Sequence, residues 1–496
     1  MIKRYEQEDV RNRCSKETKV KGWDKTELAV IEAREHLGRI SHECFDTIRD
    51  VLKAHPVDIA KWEALEKEMN HDLNAYSEER KGYLPAMYKN EFHRQITSYD
   101  TEESEFVKML DDLVKIVMSE ARNFLKLLKE LAIKYRYTLM NGRTHGQEAE
   151  LQSFGKKLLT WYREVEICLQ ALRRVRRNLK FSKISGAMGN YTTVDPELER
   201  EALKILGLKP LVGVTQIMPR VLYAPVAQAL CNLVQVLDKI ALDFRLGARS
   251  GRPLWHEPFG KKNTGSSILA HKKNSIRTEQ MRGMMRLAKA ACNAISEGIE
   301  TWEERAIEQS CVERVGWPDL FHITLHCLRT MTKVLSGIRV YPDNMLLEIV
   351  EIKGCYATPQ AGDFLKQKGP RYGLTGEEPY RVVQLAAFNL FEPNKVRKML
   401  RERLPRSLKE AGRHLTIVEH DLFPRELSES LEFHIPSAML RVSDELAATP
   451  ADVRRWNAAL KRIFASRRNC RQWERLFSPV YLLRNEGYIF KEVLGV

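Results

Sequence analysis

A chain of 496 residues, 43% of them hydrophobic, is long enough for two or three domains and apolar enough to bury a large core. Its 81 Lys and Arg against 66 Asp and Glu give a formal charge of +15, which favours anionic partners without choosing among phosphates, carboxylates and nucleic acid. The nine cysteines form no C-x-x-C pair, MIKRYEQEDV has no apolar signal segment, and even VLYAPVAQALCNLVQVLDKIALDF is interrupted by polar residues before membrane length, so a reduced cytoplasmic setting with no membrane contact is expected.

Along the chain the first pointers to chemistry are HDLNAY, which sets His71 beside Asp72, and HRQITSYD, which sets Thr97 and Ser98 before an acidic turn. From Phe106 to Tyr135 apolar residues recur every three or four positions, which predicts one long amphipathic helix. NGRTHGQ then presents His145 between Thr144 and Gly146 at the end of that helix. A Gly-rich break covers Ile184 to Pro196, and Val221 to Arg249 reads as a second long helix. Gly251 to Asn274, closing on GSSILAHKKN, is a loop too long to be an idle connection. Ile276 to Gln309 and Leu320 to Leu335 read as further helices, and Gly- and Pro-rich punctuation after Ile338 and around Gly369 to Gly376 opens a more irregular helical region. At 1.5 Å per residue the longest of these rods are roughly 45 Å long, so the expected class is all-α, with a central bundle of long helices.

Several features have a plain structural reading. His322 and His326, four apart on a helix, have the spacing of a metal pair but no third ligand, and are expected to be packed or surface residues. The basic runs Leu172 to Lys180 and Lys395 to Arg406 lack interleaved aromatics and read as solvated helix faces, not a nucleic-acid interface.

Taken in order, these segments resemble the fumarase and aspartase superfamily of lyases, whose signature runs close to G-S-S-x-M-P-x-K-x-N-P, and within it the adenylosuccinate lyases. The resemblance runs from the opening MIKRY to about Gln384 and rests on His71-Asp72, Thr97-Ser98, GRTHGQ with FGKK, SGAMGN, Thr215-Gln216, GSSILAHKKN, and SCVER before Pro-Asp. It implies a three-part chain, 1–103, 104–354 and 355–496, assembled as a homotetramer whose sites draw segments from three subunits.

The reaction it implies is β-elimination of fumarate from adenylosuccinate, and also from the succinyl-carboxamide ribotide, without metal or cofactor. Ser266 matches the base that removes the carbon proton, Lys272 and Asn274 the groups holding the carboxylate on which charge develops, and His145 the acid that protonates the leaving nitrogen. His71 would be the second imidazole, oriented by Asp72 or by the substrate phosphate. Thr97, Ser98 and Thr144 would hold the succinyl carboxylates, Gln216 the substrate, Arg4 and Tyr5 the nucleotide, and Ser310 with Arg314 its phosphate. The chain departs from the pattern at Leu269-Ala270 and Ser275, where both family prolines are missing, and at Val221, Ala306 and Gln309. A softened loop that orders when ligand binds is therefore expected. Two alternatives stay open: a relative acting on another succinyl substrate such as argininosuccinate, and a non-catalytic nucleotide-binding relative. The insertion ERKGYLPAMYKNEF and the segment after about Asp421 match no motif.

Overall fold

The computed structural model describes residues 1–391, 440–441 and 446–496, apart from Lys261, Thr264 and Ala270. The basic run Lys395 to Arg406 and the start of the unmatched C-terminal segment lie outside the described residues. The chain divides into two compact units, each stitched from non-consecutive segments: unit 1 is Met1–Leu127, Trp161–Leu246 and Glu257–Ile338, and unit 2 is Leu128–Thr160, Gly247–His256 and Arg339–Val496.

Helices dominate throughout. The first five are α1 (Glu8–Arg13), α2 (Lys16–His36), α3 (His42–Ala54), α4 (Ile59–Met69) and α5 (Asp72–Lys81). Starts are fixed by side-chain caps: Ser15, Ser41 and Asp58 accept from the free amides of α2, α3 and α4, and His71 does the same for α5 through Nδ1. Their apolar faces meet in a core where Trp23 crosses Trp62 at 5.7 Å and Tyr76 at 5.2 Å. The unmatched insertion has its use here, because Leu84 and Phe92 are buried in this core. Burying such side chains stabilises a fold by about 1.5–3 kcal/mol each.

The long rods are α6 (Ser98–Lys134), α7 (Phe154–Val175), α9 (Ala224–Gly247), α10 (Ile276–Glu297) and α11 (Glu308–Ser336), with the shorter α8 (Pro196–Ile205) between α7 and α9. Along α6 the buried set Val107, Leu110, Val114, Val117, Ala121, Phe124 and Leu128 follows the helical period. α9 is long and apolar enough to cross a membrane by length and hydropathy alone. In this fold it is a core helix, with Val226, Leu230, Leu233, Leu237, Ile240 and Phe244 buried in unit 1.

Two expectations need correction. The stretch Ile276 to Gln309 is not one helix: α10 ends at Glu297 with Gly298 as its cap, and Glu303 takes a left-handed φ of 53° before α11 begins at Glu308. The apolar period runs on through Ile299 and Ile307, which is why the break is invisible in the pattern. His145 does not sit at the end of a helix but at the tip of a hairpin, β1 (Leu139–Thr144) paired antiparallel with β2 (Gln147–Ser153). Thr144 faces Gln147 across the turn, and His145 and Gly146 have φ of 55° and 77°, the two positive values of a type I′ turn. Two two-residue strand pairs, Phe181–Ser182 with Lys209–Pro210 and Trp255–His256 with Arg339–Val340, complete the small β content of the described residues alongside this hairpin.

Unit 2 continues with α12 (Pro342–Glu351), α13 (Thr358–Lys368), α14 (Glu378–Phe391), α15 (Pro450–Phe464), α16 (Arg467–Leu476), α17 (Pro479–Leu482) and α18 (Glu486–Leu494). Trp456, Trp473 and Phe477 from the C-terminal helices are buried with Tyr356, Phe364 and Leu365 in one core. The described part of the unmatched segment is therefore integral to unit 2.

Candidate active site

The first turn of α6 organises the site in unit 1. Asp100 is fully buried and its carboxylate accepts the amides of Thr97 at 2.8 Å, Ser185 at 3.0 Å and Gly186 at 3.2 Å, with the buried Lys183 ammonium as its counter-ion. The acidic turn after Thr97-Ser98 thus ties the SGAMGN loop to the helix. That loop turns at Gly186 and Gly189, both at positive φ, and a Cβ on Gly189 would meet the Val214 carbonyl oxygen at 2.0 Å. Gln216 bridges outward from the same place, donating to the Ala187 carbonyl at 3.0 Å and accepting from Arg305 at 2.7 Å. Arg305 in turn lies 4.2 Å from the centre of the Tyr99 ring.

One turn further along α6, the buried Glu103 and Glu313 of α11 flank Arg220, whose Nε and Nη2 donate to Glu313 at 2.9 and 3.0 Å and whose Nη1 pairs with Glu103. This ion triad and Tyr99 line a cavity of about 330 Å³ together with Lys19, Glu102, Ser310 and Arg314. Ser310 and Arg314, four apart in α11, share the face that looks into it. Pro318, also in the lining, lies inside the same helix and offers no N–H to the Arg314 carbonyl.

Asp72 joins this cluster. Its Oδ2 accepts from Arg314 at 3.1 Å and Lys19 at 3.4 Å. Burial opposes its ionisation, but Lys19, Arg314 and the Leu73 amide together outweigh that and hold the carboxyl below its usual value. His71 caps α5, its Nδ1 accepting the Asn74 amide at 3.2 Å. Glu102 behaves oppositely: burial and the neighbouring Asp72 charge push its carboxyl up to about 7, despite Lys19, Arg314 and Arg305. Burial and Glu102 likewise push Tyr99 up to about 12.

The GSSILAHKKN stretch forms a closed turn. Ser266 Oγ accepts the amides of Ile268 at 3.3 Å and Leu269 at 3.1 Å, the Lys272 amide donates to the Leu269 carbonyl at 3.0 Å, and the Asn274 side-chain amide donates to the Gly265 carbonyl at 3.0 Å. Gly265 has no room for a side chain, since a Cβ would sit 1.9 Å from the Lys272 carbonyl oxygen. Lys272 itself is exposed. Behind the turn, the Glu257 carboxylate accepts the Thr278 amide at 2.9 Å and its hydroxyl at 2.7 Å, capping α10 where the family proline is missing.

Of the residues singled out in the sequence, Asp72, Ser310 and Arg314 converge directly, with His71 adjacent to Asp72. Thr97 and Ser98 start α6, Gln216 reaches the cluster through Arg305, and Ser266, Lys272 and Asn274 share their own turn. Among the described residues no hydrogen bond or ion pair links that turn to the Asp72–Arg314 cluster. Thr144 and His145 are exposed on the hairpin of unit 2. Arg4 is exposed, and Tyr5 packs edge-on against His326 with centroids 5.1 Å apart. Lys19, Tyr99, Glu102 and Arg305 join the cluster beyond the residues the motifs mark. Only Tyr99, inside the T-S-x-D segment, and Arg305, five residues before Ser310, carried a sequence signal.

The matches to known proteins follow the same outline. Residues 1–288 match a protein-family model described as lyase. The adenylosuccinate lyase of Thermotoga maritima is 33% identical over 431 residues, covering 85% of this chain and 98% of that protein, and the one from Aquifex aeolicus is 32% identical over 401 residues, covering 80% and 90%. The chain belongs to the adenylosuccinate lyase branch of the lyase family. Among solved structures, a fumarate lyase from Mesorhizobium sp. BNC1 superposes with a TM-score of 0.71 at 20% identity, covering 79% of this chain and 88% of its own. The β-carboxy-cis,cis-muconate cycloisomerase of Acinetobacter calcoaceticus sp. ADP1 does so with 0.70 at 17% identity, covering 92% and 98%. At those identities the likeness establishes the fold, an all-α lyase architecture.

Proposed function

We propose that this protein cleaves adenylosuccinate to AMP and fumarate by β-elimination and acts in the same way on the succinyl-carboxamide ribotide of purine synthesis. The observation that carries the reading is the Ser266 turn. A serine is a poor base in water because its alkoxide is unstable, and here two backbone amides already point at Oγ. Once the hydroxyl proton has passed to solvent water, those amides hold the negative charge, with Lys272 six residues on as the ammonium. Ser266 then removes the proton from the succinyl carbon beside a carboxylate, and Lys272 supports the charge that spreads onto that carboxylate. The Cα–N bond breaks, and His145 delivers a proton to the departing nitrogen. Its place at an exposed hairpin tip suits a group presented to a site completed elsewhere in the assembly.

The nucleotide phosphate fits the cavity at Ser310 and Arg314, with Asp72 orienting Arg314 and His71 next to it. Thr97, Ser98 and Thr144 would serve the succinyl carboxylates, Gln216 the substrate, and Arg4 and Tyr5 the nucleotide. Asn274, whose side-chain amide donates to the Gly265 carbonyl, would keep the turn closed through that bond and offer its second N–H to the substrate carboxylate.

The reading includes a homotetramer and the three-part division of the chain at residues 103 and 354. Leu287 on α10, Val312 and Val315 on α11, and Ile299 and Trp302 between them expose large apolar side chains, as a surface awaiting other copies would. A cytoplasmic location accords with nine free cysteines.

Incubating purified protein with adenylosuccinate and measuring fumarate and AMP together tests the activity; release of neither at micromolar enzyme would overturn it. Mixing Ser266→Ala with His145→Ala protein tests the shared site. Each variant alone should be at least about a hundredfold slower than wild type, and re-equilibrated hybrids should recover activity. Hybrids that form and stay inactive would contradict it.

A further inference from the structure

Resting on the reading just given, we infer that His322 is a positioning residue that holds the N-terminal segment, with Arg4 and Tyr5, against the helix that carries Ser310 and Arg314, and lets it go in acid. The segment lies along α11. The Gln7 amide, the first of α1's cap, donates to His322 Nδ1 at 2.9 Å; Tyr5 packs on His326 one turn further; and Arg329, another turn on, donates to the Gln7 side chain at 3.1 Å and pairs with Asp9. Tyr5 and Gln7 are thus fixed by three side chains at one-turn spacing on the same helix. Two turns before His322 on that helix is Arg314, the residue proposed to meet the phosphate.

His322 is the one member of the three whose contact depends on its proton. Accepting at Nδ1 requires the neutral ring, and a protonated ring would set N–H against N–H. The ring is buried, and the groups facing it are the Met1 amino group and Glu6 from the N-terminal segment and Asp319 from α11. Burial first and the Met1 amino group second lower its pKa, against the pull of Asp319 and Glu6. The held ring therefore stays neutral below the ordinary histidine value of about 6.5, whereas the released ring protonates there, so the contact weakens progressively as pH falls from about 6.5 toward the depressed value.

His322→Asn offers an acceptor that does not titrate, and His322→Leu removes it. Hydrogen exchange at the Gln7 amide of the ligand-free protein, corrected for intrinsic rates, reads the contact with no substrate present. Wild type should keep its protection at pH 7.5 and lose about tenfold of it by pH 5.5, the asparagine variant should keep it at both, and the leucine variant at neither. In turnover assays the leucine variant should raise KM about tenfold at pH 7.5 with kcat within twofold, and the asparagine variant should match wild type there while lacking part of its acid rise in KM. Gln7 protection in wild type that is independent of pH, or a leucine variant with unchanged KM, would overturn the inference. If wild type fails to turn over adenylosuccinate, the proposed function falls, and the exchange data alone decide the role of His322.

Discussion

Replacing Gly265 by alanine should stop the enzyme without unfolding it. The added Cβ would lie 1.9 Å from the Lys272 carbonyl oxygen, 2.9 Å from its carbon and 3.1 Å from Lys273 Cα. All three are backbone atoms, so no rotamer relieves the clash. Ordinary contact begins at 3.4 Å, so the two limbs of the turn must part by about 1.5 Å, enough to break the 3.0 Å bond from Asn274 to the Gly265 carbonyl. Ser266 is the next residue and moves with that limb. A misplacement of about 1 Å at a reacting group costs roughly a hundredfold in rate, and kcat should fall at least that far. The turn is partly exposed, so the melting temperature should hardly change. Gly260→Ala in the same loop is the control, because its Cβ would meet only the Asn263 side chain at 3.2 Å, which can swing away. Steady-state kinetics and thermal melts of the two variants decide the matter: a Gly265→Ala kcat within threefold of wild type would refute the closed-turn reasoning.

Glu102 is protonated below about pH 7 and ionised above it, so it adds a negative charge to the cavity of Ser310 and Arg314 only on the alkaline side. Glu102→Gln should lower KM by roughly two- to fivefold at pH 8 and leave it unchanged at pH 6; the same ratio at both pH values would contradict this. Arg220→Leu would strand Glu103 and Glu313 as buried carboxylates without their cation, and removing one partner of a buried pair costs about 3–5 kcal/mol. Its melting temperature should drop by several degrees in a thermal scan, and a drop of under one degree would count against the triad as a structural anchor.

The rods were legible because their apolar spacing is set by local burial, as with Val107 to Leu128 in α6. Their ends were less so. α6 starts eight residues before its apolar stripe because its first two turns are built around Asp100 and Glu103, buried acids whose partners Lys183 and Arg220 lie far along the chain. The break after α10 was hidden by apolar residues that keep the period while exposed, Ile299 and Ile307 among them. The hairpin was missed because its turn is His145-Gly146, not an Asn-Gly or Asp-Gly pair, and a histidine at positive φ leaves no pattern in the sequence. The motif residues of the site were readable one by one. What could not be read was their company: Lys19 and Glu102 share a cavity with Arg314 through tertiary packing alone, and the perturbed ionisation of Glu102 follows from that meeting.

The central claim is that Ser266 performs the chemical step on adenylosuccinate. Its most direct test is the loss of the substrate's ultraviolet absorbance with wild type and with Ser266→Ala, alongside calorimetric binding of substrate to the variant. The account predicts turnover by wild type, none measurable by Ser266→Ala, and binding to the variant by an affinity within a few-fold of the wild-type KM. A Ser266→Ala protein that still turns over, or one that fails through lost binding while its rate at saturation is intact, would contradict it.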